Sequence, residues 1–139
     1  MVNNLGIFVD TGVFVAARNS RDINHEKAKR LLKRALSGEW GEVFTSSYVF
    51  DEAVTLALVR TRRPEIAIDI GNFILSSTTI RMLFVDKEAF KLAWKIFRKY
   101  ANRRLSFTDA TSIALMKLYK IEYIMSFDRH FDGIVSRIS

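Results

Sequence analysis

Cysteine is absent from the 139 residues of this chain, which excludes a disulfide framework, a thiolate zinc site and a cysteine nucleophile. One proline occurs, and we find no internal repeat and no linker rich in Pro, Gly or Ser. We therefore predict one domain over residues 1–139. No apolar run approaches the roughly 20 residues that span a bilayer, and the first residues lack the basic and apolar regions of a signal peptide. The simplest expectation is a cytoplasmic protein with no membrane partner.

Basic residues outnumber acidic ones, with 22 Lys and Arg against 15 Asp and Glu and a net charge of +7 at pH 7. This balance favours polyanionic partners, because basic side chains near phosphates release counterions. A solvated basic surface that binds nothing would give the same balance. Arg103 and Arg104, for example, could lead a nucleic-acid backbone toward a site or simply face the solvent. An acidic cluster in such a protein would suit an enzyme that attracts a polyanion and then cuts it.

Apolar segments of strand length alternate with segments of helical periodicity, which is typical of a parallel sheet covered on both faces. The predicted strands are Ile7–Asp10, Glu42–Thr45, Ile80–Val85 and Glu122–Ser126, with a weaker fifth at Ile134–Ile138. The predicted helices are His25–Leu36, Tyr48–Arg60, Pro64–Ser76, Lys87–Tyr100 and Thr108–Tyr119. The sequence thus predicts an α/β fold with a central, mostly parallel sheet of four to five strands.

Four acidic residues lie where the chain leaves an apolar segment or enters a helix. Asp10 and Asp128 follow predicted strands, Asp109 opens a helix, and Glu52 lies about one turn inside another. Because the carboxyl ends of parallel strands share one edge of the sheet, where open α/β sheets bind ligands, these acids can converge. Carboxylates that converge repel each other unless cations hold them together. The pattern therefore predicts a divalent metal site for phosphodiester chemistry, with Mg²⁺ or Mn²⁺ as the ion.

The first two acids also have ordinary structural interpretations. Asp10 could cap the helix that follows it; in the functional interpretation, the hydroxyl of Thr11 could orient its carboxylate. Glu52 stands beside Asp51, and one of the two could simply be solvated. We favour Glu52 as the ligand because it falls at the margin of the apolar face of its helix, where an unpaired carboxylate is costly.

The last two acids have structural alternatives as well. Asp109 could complement the dipole of its helix, with Ser106 or Thr108 as the cap. Asp128 could belong to an ordinary turn, and its neighbour Asp132 could take its place as the fourth acid. Singly, these alternatives compete with the functional interpretation. Together, they require four coincidences at the same edge of the sheet.

Other chemistries find little support. His25 and His130 lack a Cys or His partner at zinc spacing; His130, near Asp128, could contact a phosphate or lie free at the surface. Gly12, after Asp10, lacks the partners of a dinucleotide or Walker loop. No serine sits in a nucleophile elbow.

Short segments of the chain, taken in order, resemble the successive motifs of the PIN-domain family. Each is weakly specific by itself, so their order and spacing carry the resemblance, which spans nearly the whole chain. The segments are Ile7–Thr11, Thr45–Ser46 with Asp51–Glu52, Leu105–Ala110 and Ile124–Phe131.

This resemblance implies a three-layer α/β/α fold and a ribonuclease that depends on Mg²⁺ or Mn²⁺. The residues that it implies as the catalytic and metal-binding quartet are Asp10, Glu52, Asp109 and Asp128. The hydroxyls that it implies in a supporting role are those of Thr11, Thr108 and Ser126.

A single-domain chain of this length is similar to the VapC-like toxins of type II toxin–antitoxin pairs. Such toxins are usually homodimers, silenced by a small antitoxin whose tail fills the active-site groove. The resemblance therefore implies three partners: RNA, a small antitoxin and a second copy of the chain. Two alternatives stay open, namely a PIN nuclease of RNA processing or decay without an antitoxin, and a non-catalytic PIN domain that binds RNA or protein.

Overall fold

The computed structural model describes residues 6–139, which form a three-layer α/β/α fold around a sheet of five parallel strands. Residues 1–5, which the predicted domain includes, lie outside this range. The predicted fold class is confirmed, including the weaker fifth strand. The strands are β1 (Ile7–Val9), β2 (Val43–Ser46), β3 (Ile80–Leu83), β4 (Tyr123–Met125) and β5 (Ser136–Ile138).

The strand order places β1 at the centre of the sheet. It also creates a topological switch point beside β1, where the direction in which successive strands are added reverses. The order is β3-β2-β1-β4-β5, so the chain winds outward from β1 to β3 and then returns to the other side of β1. All residues of β1 are fully buried, as expected for a strand that is covered on both faces. Open sheets bind ligands beyond the carboxyl ends of the strands at such a point. Here it lies between Val9 and Met125, which pair in register.

Six helices cover the sheet within residues 6–139. They are α1 (Thr11–Arg18), α2 (His25–Leu36), α3 (Ser47–Thr61), α4 (Pro64–Ser76), α5 (Lys87–Lys99) and α6 (Phe107–Tyr119). The five helices delimited in the sequence are confirmed, with ends within about one residue. The pattern set no bounds for α1, because five consecutive residues, Val13 to Ala17, are all buried and a helix buried on all sides has no one-sided periodicity. In the described part of the chain, no helix combines the length and apolar character needed to cross a membrane.

Aromatic contacts fix the start of α6 against its neighbours. The ring of Phe107 lies 5.2 Å from that of Phe90 and 6.1 Å from that of Phe97, both in α5. It also lies 6.3 Å from the ring of Tyr48 in α3. Because α3 and α6 each carry one of the predicted acids, this cluster holds the elements that position them.

Gly71 gives a test of how closely α3 and α4 pack. A Cβ added there would lie 3.4 Å from side-chain atoms of Phe50 and Val54, while glycine inside a helix costs roughly 0.5–1 kcal/mol relative to alanine. We expect Gly71→Ala to raise the free energy of unfolding by about that amount, measured by urea denaturation. Gly71→Leu should lower it, because the larger side chain must push α3 away. A loss of stability in Gly71→Ala would contradict this packing.

Candidate functional site

A pocket of about 460 Å³ opens beyond the carboxyl ends of the strands, at the switch point. The acids in its lining are Asp10, Asp22, Glu52, Asp109 and Asp128. The four acids singled out in the sequence thus lie around one pocket. They come from separate elements: Asp10 follows β1, Glu52 belongs to α3, Asp109 belongs to α6 and Asp128 follows β4. The two substitutes that we considered, Asp51 and Asp132, are absent from its described lining.

Asp10 is the most deeply buried of these acids, with 6% of its surface exposed. Its backbone N–H donates a hydrogen bond to the carbonyl of Met125 (3.0 Å), which continues the pairing of β1 with β4 by one residue. The hydroxyl of Ser126 donates to its Oδ2 (2.7 Å). Asp10 stands at the N-cap position of α1, but its side chain makes no capping hydrogen bond within the described residues. Its carboxylate is therefore directed to the pocket rather than to the helix.

The hydroxyl of Thr11 contacts a different acid from the one expected. It donates a hydrogen bond to Oε1 of Glu52 (2.6 Å), so the suggestion that it orients Asp10 is wrong. Thr11 is the first residue of α1, and α1 packs against α3, which brings its side chain to that of Glu52. Glu52 is half-buried, whereas the neighbouring Asp51 is exposed.

Asp109 both helps to cap α6 and lines the acidic pocket. Ser106 and Asp109 form a capping box: the Ser106 hydroxyl accepts from the N–H of Asp109 (3.0 Å), and Oδ2 of Asp109 accepts from the N–H of Ser106 (3.0 Å). This box sets the orientation of the carboxylate at the start of α6. Ser106 is therefore the cap, and its partner Asp109 still faces the pocket.

Thr108, expected as a supporting hydroxyl, lies outside the described lining of the acidic pocket. It borders a neighbouring cavity beside α3. Its backbone carbonyl accepts hydrogen bonds from the hydroxyls of Thr111 (2.6 Å) and Ser112 (3.2 Å). These contacts stabilise the first turn of α6, and Thr108 meets only one of the four acids, Glu52, in the lining of that neighbouring cavity.

Ser126 connects the first and fourth acids. While its hydroxyl donates to Asp10, it accepts from the N–H of Asp128 (3.0 Å). Asp132 is engaged elsewhere, because Nε of Arg137 donates to its Oδ1 (2.7 Å), and this hydrogen bond lowers the pKa of Asp132. Of the two candidates for the fourth acid, the structure places Asp128 at the pocket.

His130 brings a ring nitrogen to the acidic pocket, beside Asp128. Its Nδ1 lies 2.9 Å from Oδ1 of Asp128, but the arrangement is not that of a hydrogen bond, and this nitrogen has no other partner in the described chain. One potential ligand atom from each of Asp109, Asp128 and His130 lies within 4.8 Å of the others.

Burial and mutual repulsion make two of the acids hard to ionise. Burial, and to a lesser extent the charges of Asp109 and Glu52, raise the pKa of Asp10 to about 7, against the opposing effect of the Ser126 hydrogen bond. Burial also raises the pKa of Asp109 to about 6, with smaller contributions from the charges of Asp128 and Glu52. A nearby cation would relieve both effects.

The donor set fits a divalent cation. The second carboxylate oxygen of Asp10, Oδ1, is buried without a hydrogen-bond partner among the described residues, and such an atom is costly unless something binds it. The neighbouring carboxylates are the oxygen ligands that Mg²⁺ and Mn²⁺ prefer. Asp109, Asp128 and His130 bring ligand atoms close enough together to hold such an ion, and Asp10 and Glu52 line the same pocket outside that group.

Three polar residues of the pocket wall were not predicted from the sequence. Asp22 and Asn24, from the loop between α1 and α2, and Arg60, at the end of α3, all line it. The Asp22 carboxylate accepts from the N–H of Asn24 (2.8 Å), a local turn that a sequence can suggest. Its position beside the acids depends on how α2 packs on α1, which no local pattern reveals.

The two adjacent arginines before α6 have different environments. Arg104 lines the pocket. Arg103 instead donates hydrogen bonds to the backbone carbonyls of His130 (3.2 Å) and Asp132 (2.5 Å). One arginine of the pair thus faces the site, and the other ties the segment that carries the fourth acid to the start of α6.

The sequence pattern of the PIN domain family matches residues 7–135 of this chain. The 23S rRNA-specific endonuclease VapC20 of Mycobacterium tuberculosis is 33% identical over 131 residues, which cover 91% of this chain and 92% of VapC20. The VapC ribonuclease of Archaeoglobus fulgidus is 25% identical over 128 residues, or 91% of this chain and 80% of that protein.

Solved structures give the same fold. The crystal structure of M. tuberculosis VapC20, described as a sarcin-ricin loop cleaving toxin, superposes with a TM-score of 0.80 over 91% of this chain and 93% of VapC20. FitAcB of Neisseria gonorrhoeae superposes with a TM-score of 0.66 at 17% identity, covering 96% of each chain. At that identity the second similarity concerns the fold alone.

The raised pKa of Asp10 predicts an unusual pH dependence of stability. Without metal and between about pH 4 and pH 7, the Asp10 carboxyl is protonated in the folded state but ionised in the unfolded state. The free energy of unfolding should therefore fall as the pH rises through that range. Asp10→Asn removes this effect, worth at most roughly 4 kcal/mol. Denaturation in a chelator should show the variant gaining stability over the wild type from pH 5 to pH 8. A difference that does not depend on pH would contradict the raised pKa.

Removing the hydroxyl of Ser126 should raise the pKa of Asp10 further, because this hydrogen bond favours the charged carboxylate. We expect Ser126→Ala to shift the midpoint of the Asp10 carboxyl-carbon resonance, measured by NMR titration without metal, to higher pH. Ser112→Ala is a matched control, since this buried serine donates to the Thr108 carbonyl instead. Equal midpoints in the wild type and Ser126→Ala would rule out the proposed coupling.

Proposed function

Because this chain belongs to the PIN-domain family, we propose that it is an Mg²⁺- or Mn²⁺-dependent endoribonuclease and the toxin of a toxin–antitoxin pair. The observation that carries the proposal is the convergence of Asp10, Glu52, Asp109 and Asp128 on one pocket at the switch point of the sheet. The unpartnered oxygen of Asp10 in that pocket supports a role for a cation.

Each acid has a separate part in this proposal. Asp10, Glu52 and Asp109 would hold the cation, and Asp128 would complete the site. A divalent ion supplies a Lewis acid that polarises the phosphodiester, favours the ionised form of the attacking water and stabilises the leaving oxygen. Thr11 and Ser126 position carboxylates through the hydrogen bonds described above. Such fixed orientation limits the rearrangement needed when substrate binds.

Positive charge at the pocket suits an RNA backbone. Arg60 and Arg104 line the pocket together with the acids, and the chain as a whole carries a net charge of +7. Arginine makes bidentate contacts to phosphate, and the overall charge attracts a polyanion from a distance. We propose that these two arginines contact phosphates on either side of the cleaved bond.

The relatives give the proposal its biological setting. VapC20 is named for action on 23S rRNA, and its crystal structure is described as that of a toxin. We propose that single-stranded or looped RNA is the substrate of this chain. A small antitoxin would inhibit it, and a second copy would form a homodimer. We also propose that it acts in the cytoplasm, where such RNA is found.

Paired variants of adjacent acids test the proposal. Glu52→Gln and Asp10→Asn should each reduce Mn²⁺- or Mg²⁺-dependent cleavage of RNA by roughly a hundredfold or more, since the ion contributes several kcal/mol to the transition state. Asp51→Asn, which changes the exposed neighbour of Glu52, should keep wild-type activity. Cleavage is followed on labelled RNA with and without a chelator, and circular dichroism confirms folding.

Two results would count against this function. Cleavage that Asp10→Asn leaves unchanged would remove the acids from the chemistry. A pure protein that binds RNA but cuts none in Mn²⁺ would favour the non-catalytic alternative. Growth arrest on expression, relieved by a small neighbouring gene, separates a toxin from a nuclease of RNA processing.

A further inference from the structure

His130 occupies a fixed position at the rim of the acidic pocket. It belongs to a single 3₁₀ turn, Arg129–Phe131, that follows β4. Phe131 is fully buried and anchors this turn in the core. Asp128 caps it by accepting a hydrogen bond from the N–H of His130 (2.9 Å). The turn is therefore fixed beside the carboxylate, and Nδ1 of the imidazole is buried there, although the side chain as a whole is 40% exposed.

The contact between His130 and Asp128 has the length of a hydrogen bond but not its geometry. The Nδ1–Oδ1 distance is 2.9 Å, yet the geometry is not that of a hydrogen bond and the nitrogen has no other partner in residues 6–139. The same separation suits two atoms that bind one ion. Two ligands about 2.1 Å from an octahedral ion, at adjacent corners, are about 3.0 Å apart.

A second observation points to a ligand in the same pocket. Oδ1 of Asp10 is buried without a partner in the described chain, and Asp10 lines the pocket with Asp109, Asp128 and His130. The last three residues can offer ligand atoms within 4.8 Å of each other. The charge of Asp109 acts on Asp10 and that of Asp128 on Asp109, so the acids form one connected group.

We propose that Nδ1 of His130, beside the carboxylates of Asp109 and Asp128, is a nitrogen ligand of the divalent cation and makes this site prefer Mn²⁺ to Mg²⁺. The proposal rests on the metal site of the proposed function and adds to it a ligand and a metal preference. Mg²⁺ is bound almost entirely through oxygen, whereas imidazole is a good ligand for transition metals. Replacing one oxygen by one nitrogen therefore shifts the balance toward Mn²⁺.

Pulsed electron paramagnetic resonance of the Mn²⁺-loaded protein tests the nitrogen ligand directly. A directly bound imidazole gives a ¹⁴N modulation, which we expect in the wild type and not in His130→Ala or the closer mimic His130→Gln. The chain has one other histidine, His25, whose Nδ1 lies 2.8 Å from the Ala16 carbonyl oxygen. His25→Asn is thus the matched control and should keep the signal.

Calorimetric titration supplies a second readout that needs no activity. We expect His130→Gln to weaken Mn²⁺ binding about tenfold or more and to leave the affinity for Mg²⁺ within about twofold, so that the ratio of the two affinities falls. Equal losses for the two ions would overturn the proposed preference.

The outcomes separate this inference from the function on which it rests. Mn²⁺ binding that requires Asp10 but shows no ¹⁴N modulation overturns the role of His130 and leaves the nuclease proposal standing. A wild-type protein that binds neither ion overturns both. Loss of the modulation in His130→Gln with retention in His25→Asn, both folded by circular dichroism, supports the nitrogen ligand.

Discussion

Burial of carboxylates that lie close together at the edge of a parallel sheet is the constraint on which this structure depends. Asp10 and Asp109 are buried, and burial with neighbouring charge raises the pKa of both. Among the described residues, no arginine or lysine pairs directly with Asp10. Its Oδ2 accepts from the Ser126 hydroxyl, the Thr11 backbone and Ser126 both lower its pKa, and its Oδ1 has no hydrogen-bond partner. A site of this kind is stable in its charged form when a cation is present. Metal binding and stability are thereby linked.

The surrounding hydrogen bonds orient these acids without neutralising them. Thr11 donates to Glu52, Ser126 connects Asp10 with the backbone of Asp128, and the capping box with Ser106 fixes Asp109. A neutral donor fixes the direction of a carboxylate and leaves its charge available for a cation. The ordinary structural interpretations of these residues are therefore not rivals of the functional one, since the cap at the start of α6 is itself what orients Asp109 toward the pocket.

Much of this architecture could be predicted from the sequence, because its signals are local. Alternation of strand and helix predicted the α/β fold, and one-sided apolar periodicity delimited five helices. The helix α1 had no bounds because it is buried nearly all round and so lacks that periodicity. The positions of Asp10 and Asp128 after strands, and of Asp109 and Glu52 near the starts of helices, predicted that the acids converge, since parallel strands share one edge. The partner of Thr11 was predicted wrongly, because a hydroxyl one residue after Asp10 belongs to a helix that faces α3.

Residue order by itself determined the fold class, the family and the acids at the ends of the strands, since these follow from hydrophobic periodicity and from the spacing of short motifs. The tertiary structure decided between Asp128 and Asp132, because Arg137 pairs with Asp132 and leaves Asp128 at the pocket. It also brought Asp22 and His130 to the acids. Those choices depend on distances between segments that are remote in the chain, and such distances are fixed only when helices pack on the sheet.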